Sequence, residues 1–420
     1  MTRLLQLPLV HNAAYLFGTN IFPAVMGFIF WTLASRLFQA SEVGYAVAII
    51  SAISLASALA ALGTNMGLIR FLRHSESPTR LINSVLNVNI LTSILFVAIY
   101  LIGIPIWGKH LESVLGYSSI LLFFVFVILS TLGTSIQSCF IAYEKSVYAF
   151  LFTVVLNVSR VLALFLVVKW GLVGIVGEVA FAYLIAYLVS LWILLPKVTP
   201  GFRRNPRLSW PDLSEIMPFS MSNYLAALTL NLTQLILPLI TLEFLGAEAN
   251  AYSYMAIMIG TLVSGPGLAL AIAAFAEGSS HYSQSRALLN KTLAISLVVT
   301  AFISIIVAMA SSWILSWFGT DYVREGTGLL QLLAYTAPLI VFNQLFFSAL
   351  RLEKKNGWII LLSSVLMVSI VVIAYVLLPI IGILANGVGI AAGNFLVAIG
   401  VFILWTKSRG FNKTGHDLRY

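Results

Sequence analysis

Long apolar runs separated by short polar ones set the pattern of this chain. A membrane-crossing helix needs about 20 consecutive, mostly apolar residues. Twelve runs meet that need: 12–36, 44–69, 83–106, 119–142, 148–168, 174–195, 217–241, 251–276, 289–313, 328–350, 358–378 and 382–405. They are far longer than buried strands and lack the alternation, about ten residues per strand, of outer-membrane barrels. Each run therefore predicts a helix. The chain opens Met1-Thr2-Arg3 and passes directly into the first run, which Asn12, Thr19 and Asn20 interrupt. With no small-residue cleavage site there, it reads as an uncleaved first helix, not a signal peptide.

Composition narrows the class. Hydrophobic residues make up 60% of the 420 and charged residues only 9%, against roughly 25% charged in a soluble domain. The mean hydropathy is +1.01. A water-soluble enzyme, a nucleic-acid-binding domain and a disordered chain are excluded, leaving a polytopic membrane protein. The net charge of +9 then reports orientation and not a nucleic-acid partner. With both termini in the cytoplasm, 18 Lys and Arg fall inside, 4 fall outside, and Arg160 lies within a span. That asymmetry predicts a cytoplasmic-membrane protein with both ends inside. The single cysteine, Cys139, rules out a disulfide framework or a multi-cysteine metal site. No cofactor or metal is expected.

The loops add organisation. No outside loop exceeds roughly 15 residues, which leaves no room for a catalytic domain on that face. The longest connection, 196–216, lies inside and carries Pro196, Pro200, Pro206 and Pro211 with three arginines. It predicts a linker lying along an anionic lipid surface. The linker divides the chain into a lobe over 1–196, a linker over 197–216 and a lobe over 217–420. The halves align at a shift of 207: "RLFQASEVGY" (36–45) lies over "EFLGAEANAY" (243–252), Leu81 over Leu288, Asn83 over Asn290 and Gln137 over Gln344. After an insertion the shift becomes 211, placing Gly171 on Gly382. Six spans per half is an even number, so the repeats are parallel, related by an axis along the membrane normal. The expected fold is all-α, with twelve helices in two six-helix lobes around a central cavity.

The stretch 12–72 carries Asn12 ahead of the first span, Ala34-Ser35-Arg36 at its end, Glu42-Val43-Gly44 in the following turn, and Leu62-Gly63-Thr64 before Arg70. The loop "AYEKSVYAF" (142–150) and its partner "ALRLEKKNGW" (349–358) complete the pattern. In these features the chain resembles polysaccharide transporters, the O-antigen flippases of the multidrug/oligosaccharidyl-lipid/polysaccharide exporter superfamily. The topological likeness covers the whole chain, and the motif likeness mostly the first 80 residues. The resemblance implies two lobes, alternating access and a lipid-linked oligosaccharide as cargo. The chain is too short for the fourteen-helix lipid II flippases of that superfamily.

Few polar groups interrupt the spans. Arg160 stands near the middle of the fifth helix, where a charge costs a few kcal/mol and normally faces a cavity or a partner. Thr153, Asn157 and Arg160 share one stripe. A polyprenyl diphosphate carries about two negative charges, and arginine's rigid fork suits phosphate, so Arg160 is a candidate phosphate ligand. A structural arginine paired with Glu178 is the other reading. Thr134 and Gln137 on the fourth helix, Asn343 and Gln344 on the tenth, and Asn87 on the third are candidate sugar contacts. Each would equally serve as glue between helices. Pro23, Pro266 and Pro338 lie inside spans and are either hinges or static kinks. Repeat arithmetic pairs Arg36 with Glu243 at outside ends and Arg70 with Glu277 at inside ends. These are candidate outer and inner gating pairs.

The expected function is a flippase moving a polyprenyl-diphosphate oligosaccharide from the cytoplasmic to the outer leaflet. Its partners would be that lipid, membrane lipid and other glycan-assembly proteins, with no nucleic acid. A cation-coupled multidrug exporter is the alternative. It needs an embedded carboxylate, and Glu178, read near a membrane edge, is the one candidate. A glycan polymerase is less well supported, since no Walker loop, HExxH or suitable GxSxG is present.

Overall fold

The computed structural model describes residues 8–112, 117–280, 285–352 and 355–414. Among them every regular element is helical. The order is α1 (Pro8–Leu37), α2 (Ala40–Ala60), α3 (Thr64–Phe71), α4 (Pro78–Trp107), α5 (Lys109–Glu112), α6 (Tyr117–Ala142) and α7 (Ser146–Val167). Then come α8 (Gly171–Val189), α9 (Leu195–Val198), α10 (Trp210–Ser280), α11 (Ser285–Ser316), α12 (Thr320–Leu352), α13 (Asn356–Ile381) and α14 (Leu384–Thr414).

Ten segments of the described residues are long and apolar enough to cross a membrane. Two of them, Ser146–Val198 and Asn231–Leu270, exceed what a bilayer about 30 Å thick requires. Each is broken at a glycine held at positive φ: Gly171 (φ 54°) and Gly246 (φ 82°). Divided there, the segments make the twelve crossings expected from the apolar runs. The large apolar side chains most open to the surroundings, such as Ile102, Ile106, Leu166 and Met309, sit on these helices. In water they would form an untenable apolar patch; against acyl chains they are at home.

The second span departs from the sequence expectation. The run 44–69 is not one helix: α2 ends at Ala60, Leu62 and Gly63 take left-handed backbone, and α3 starts at Thr64. A Cβ on Gly63 would stand 2.4 Å from the Ser220 carbonyl oxygen. The break lets the first part of α10 approach, and hydropathy alone carries no sign of it. The Glu42-Val43-Gly44 turn has a local explanation too. Glu42 accepts a hydrogen bond from the Gln39 backbone N–H at 3.1 Å, capping α2. Gly44 lets the backbone of Ala247 pass so closely that a Cβ would stand 1.7 Å from its oxygen, while Asn250 donates to the Gly44 carbonyl at 2.8 Å.

The repeat is visible in the turns. Gly171 (φ 54°, ψ −136°) opens α8 and Gly382 (φ 62°, ψ −149°) precedes α14, both in backbone territory that only glycine enters freely. Lys145 N–H donates to the Phe140 carbonyl at 2.9 Å, and Lys355 N–H donates to the Leu350 carbonyl at 2.9 Å. An equivalent hydrogen bond, from a lysine N–H back to the carbonyl five residues earlier, thus closes both the α6–α7 and the α12–α13 connection. Packing repeats as well: α7 on α8 and α6 on α8 in the first half, α13 on α14 and α12 on α14 in the second.

Two compact units result. The first comprises 1–228 and 234–251, the second 229–233 and 252–420. In the first, Leu68, Leu81, Ile82, Ile136, Phe140, Leu195, Leu213 and Ile216 form a core uniting α3, α4, α6, the end of the sixth span and the start of α10. In the second, Phe347, Leu362, Val397 and Val401 pack α12, α13 and α14 together, and Asn386 donates to the Ser253 hydroxyl at 2.8 Å.

Candidate functional site

The most unusual polar cluster lies inside the first unit, where α1, α7 and α8 meet. Arg160 of α7 is 17% exposed and Glu178 of α8 is completely buried, with Arg160 Nε 3.8 Å from Glu178 Oε1. That separation is an ion pair but not a hydrogen bond. Arg160 Nε and Nη2 and both Glu178 oxygens are buried with no hydrogen-bond partner. The guanidinium is instead seated over the Phe30 ring at 3.7 Å, with Trp31 at 5.6 Å, and both rings are themselves buried. The contact is a cation–π interaction on the aromatic pair of α1.

The electrostatics are unbalanced in a useful way. Removing two charges from water costs several kcal/mol per ion, and attraction repays it only where hydrogen bonds satisfy the remaining donors and acceptors. Here those bonds are missing, so the pair is a poor stabilising device. It keeps two guanidinium nitrogens, Nε and Nη2, and one carboxylate available for other partners. Glu178 lies seven residues inside α8, about 10 Å along the helix axis, on the face that α8 turns onto α7.

The other polar positions resolve into specific contacts. Gln137 Nε2 donates to Thr153 Oγ1 at 3.0 Å and to the Ala149 carbonyl at 3.3 Å, and Asn157 donates to the Thr153 carbonyl at 2.8 Å. The stripe on α7 is thus clipped to α6 at Thr153, seven residues or about two helix turns from Arg160. Thr134 donates to the Thr131 carbonyl at 2.9 Å. On α12, Asn343 donates to Asn394 of α14 at its carbonyl (2.9 Å) and at Oδ1 (3.0 Å), while Gln344 is half-buried.

Asn87 is bound to the linker. Its amide donates to the carbonyls of Asn205 and Arg207, both at 3.0 Å, and its oxygen accepts from Arg204 at 2.6 Å.

Of the residues expected at the gates, Glu243 accepts from the His110 backbone N–H at 3.1 Å and meets its Nδ1 at 3.2 Å. Arg36 is exposed in the last turn of α1. Arg70 lies over the Phe219 ring at 4.2 Å. The Glu277 side chain lies outside the described residues. The helices continue through Pro23, Pro266 and Pro338, and the interruption of α10 falls at Gly246.

Sequence reasoning missed Phe30 and Trp31, since aromatic residues in an apolar run carry no mark of a cation above them. It also passed over a buried network in which Thr64 donates to Asn89 (3.2 Å), Asn89 to Ser135 (2.8 Å), and Ser135 to Asn65 (3.4 Å). The signal was present, because Asn89 interrupts the same apolar run as Asn83 and Asn87 on a different face.

A family described as polysaccharide biosynthesis protein matches residues 9–269. No curated protein sequence matches the chain. Among solved structures, the lipid II flippase MurJ in an inward closed conformation is similar with a TM-score of 0.74 at 12% identity, over 93% of this chain and 87% of that one. A multidrug resistance MATE family transporter of the MOP superfamily, inward-facing, gives 0.69 at 16% identity, over 92% and 96%. An outward-facing conformation of such a transporter gives 0.63 at 16%, over 97% and 96%. At these identities the likeness is one of fold.

Proposed function

Because the chain belongs to the family of polysaccharide biosynthesis proteins, we propose that it is a flippase. It carries a polyprenyl-diphosphate-linked oligosaccharide from the cytoplasmic to the outer leaflet by alternating access. The reading puts it in the cytoplasmic membrane with both termini inside, beside other proteins of glycan assembly. The observation that carries it is the Arg160 guanidinium, held inside the bilayer-spanning bundle with its Nε and Nη2 lacking hydrogen bonds. An incoming diphosphate supplies the charge-assisted bonds that Glu178 does not make at 3.8 Å. In the resting arrangement Glu178 and Phe30 hold the arginine ready. Gln137, Thr153 and Asn157 steady the turn of α7 below it. Candidate sugar contacts on the second unit are Asn343 and Gln344, and Pro23, Pro266 and Pro338 are candidate hinges.

The test is the lipid-linked oligosaccharide pool, with its sidedness, in cells lacking the protein. Complete lipid-linked oligosaccharide should accumulate on the cytoplasmic leaflet. Wild-type protein should clear it, and Arg160→Gln should not. A cleared pool with Arg160→Gln would sink the phosphate role.

One observation favours a second reading. Glu178 is a fully buried carboxylate, the group a cation-coupled exporter requires. A normal pool together with new sensitivity to cationic drugs would move the assignment there, with Glu178→Gln abolishing export.

A further inference from the structure

Residues 199–209 cross the start of α4 without regular structure, yet they are firmly tied. Asn83 donates to the Arg203 carbonyl at 2.9 Å and accepts from the Asn205 N–H at 2.9 Å. Asn87 holds the carbonyls of Asn205 and Arg207, and the Ser209 N–H donates to the Ser84 hydroxyl at 2.9 Å. Arg204 points inward and spends its guanidinium on Asn83 and Asn87 at 2.9 and 2.6 Å. Arg80 is spent on Asp212 at 2.7 and 2.9 Å. This differs from a linker whose arginines all lie on lipid.

Arg203 and Arg207 are different. Both are exposed, and among the described residues neither side chain has a partner. With Arg80 and Arg204 they line an open groove of about 990 Å³ whose lining contains no carboxylate. Leu208 and Trp210, 41% and 69% exposed, belong to the same lining. The groove sits where the span Pro78–Ile106 begins, so its rim lies at the membrane–water boundary. Tryptophan is enriched at that level, and arginine's fork matches phosphate oxygens.

We propose that this groove is a headgroup site for an anionic phospholipid of the adjacent leaflet. Arg203 and Arg207 take the phosphate, and Leu208 and Trp210 enter the boundary between headgroups and acyl chains. The strap is fixed to α4 before any lipid arrives, so binding orders few new bonds. The site is independent of what the protein carries.

Native mass spectrometry of the purified full chain tests this, with phosphatidylglycerol as the probe and phosphatidylcholine as the neutral control. Wild type should retain phosphatidylglycerol and release phosphatidylcholine. A basic residue near a membrane surface contributes about fivefold in affinity, so Arg203→Gln and Arg207→Gln should each weaken retention about fivefold. The pair should weaken it roughly thirtyfold. Lys169→Gln, at a distant exposed position, should change nothing. Single variants within twofold of wild type would overturn the proposal even if the double variant failed to fold. Displacement by millimolar inorganic phosphate would overturn it in favour of a soluble-anion site. Displacement by an equal amount of polyprenyl diphosphate would overturn it in favour of a loading site for the cargo.

Discussion

Replacing Asn87 by alanine separates two roles that the sequence left open. As a sugar contact, Asn87 would matter for transport and not for the linker. In the structure it makes three hydrogen bonds to the strap over 199–209: to the carbonyls of Asn205 and Arg207, and from Arg204. Arg203, Asn205 and Arg207 are exposed, so groups released from Asn87 return to water. Net of that exchange each bond is worth about 0.5–1 kcal/mol, which makes about 2 kcal/mol for the three. That raises the population of the detached strap about 30-fold. The strap contains Arg203, Arg204 and Arg207, all trypsin sites, and cleavage by way of a transiently opened segment tracks its open population. Limited trypsinolysis of the solubilised protein should therefore nick Asn87→Ala within 203–207 roughly 30 times faster than wild type. Cleavage within threefold of wild type would refute the reasoning and return Asn87 to the substrate.

Three further outcomes follow from the packing and the charges. Glu178→Gln alone strands a buried guanidinium and should cost about 3–5 kcal/mol in thermal unfolding, while Arg160→Gln with Glu178→Gln should recover most of that loss without recovering transport. A double variant no more stable than Glu178→Gln would show that the two groups are not coupled. Gly44→Ala puts a Cβ 1.7 Å from a backbone oxygen, so α2 must move off its neighbour; a melting temperature lower by several degrees is expected, and an unchanged one would deny the close crossing. The Arg80 guanidinium, hydrogen-bonded to Asp212, holds that carboxyl below the usual carboxylate range. Its stabilising contribution is complete above the unfolded pKa of about 3.9 and is lost as pH falls through the depressed folded value. Wild type and Asp212→Asn should differ in melting temperature at pH 7 and down to about pH 4, and converge in stronger acid. A gap that stays constant through that acid range would mean the pair is not what the variant removes.

Much was legible before any coordinates, because the bilayer imposes simple rules on a chain. Its thickness sets the length of each apolar run, so the crossings, the helical class of the described residues and the membrane class could be read directly. The repeat was readable because its turns use local chemistry: Gly171 and Gly382 must be glycine wherever the backbone turns at positive φ. What sequence could not reveal was which way each helix faces. A helix in lipid is apolar on its outer face as well as its inner one, so the amphipathic stripe that orients a helix in a soluble protein is missing. Asn87 and Gln137 were therefore visible as polar residues but not as ties to the linker and to α7. The break at Leu62-Gly63 depended on Ser220, more than 150 positions away in the chain. The meeting of Arg160 with Glu178 on the next helix and with Phe30, 130 positions earlier, belongs to tertiary packing alone. Only there do three helices of ordinary apolar composition turn one charge of each sign onto a shared, mostly buried face.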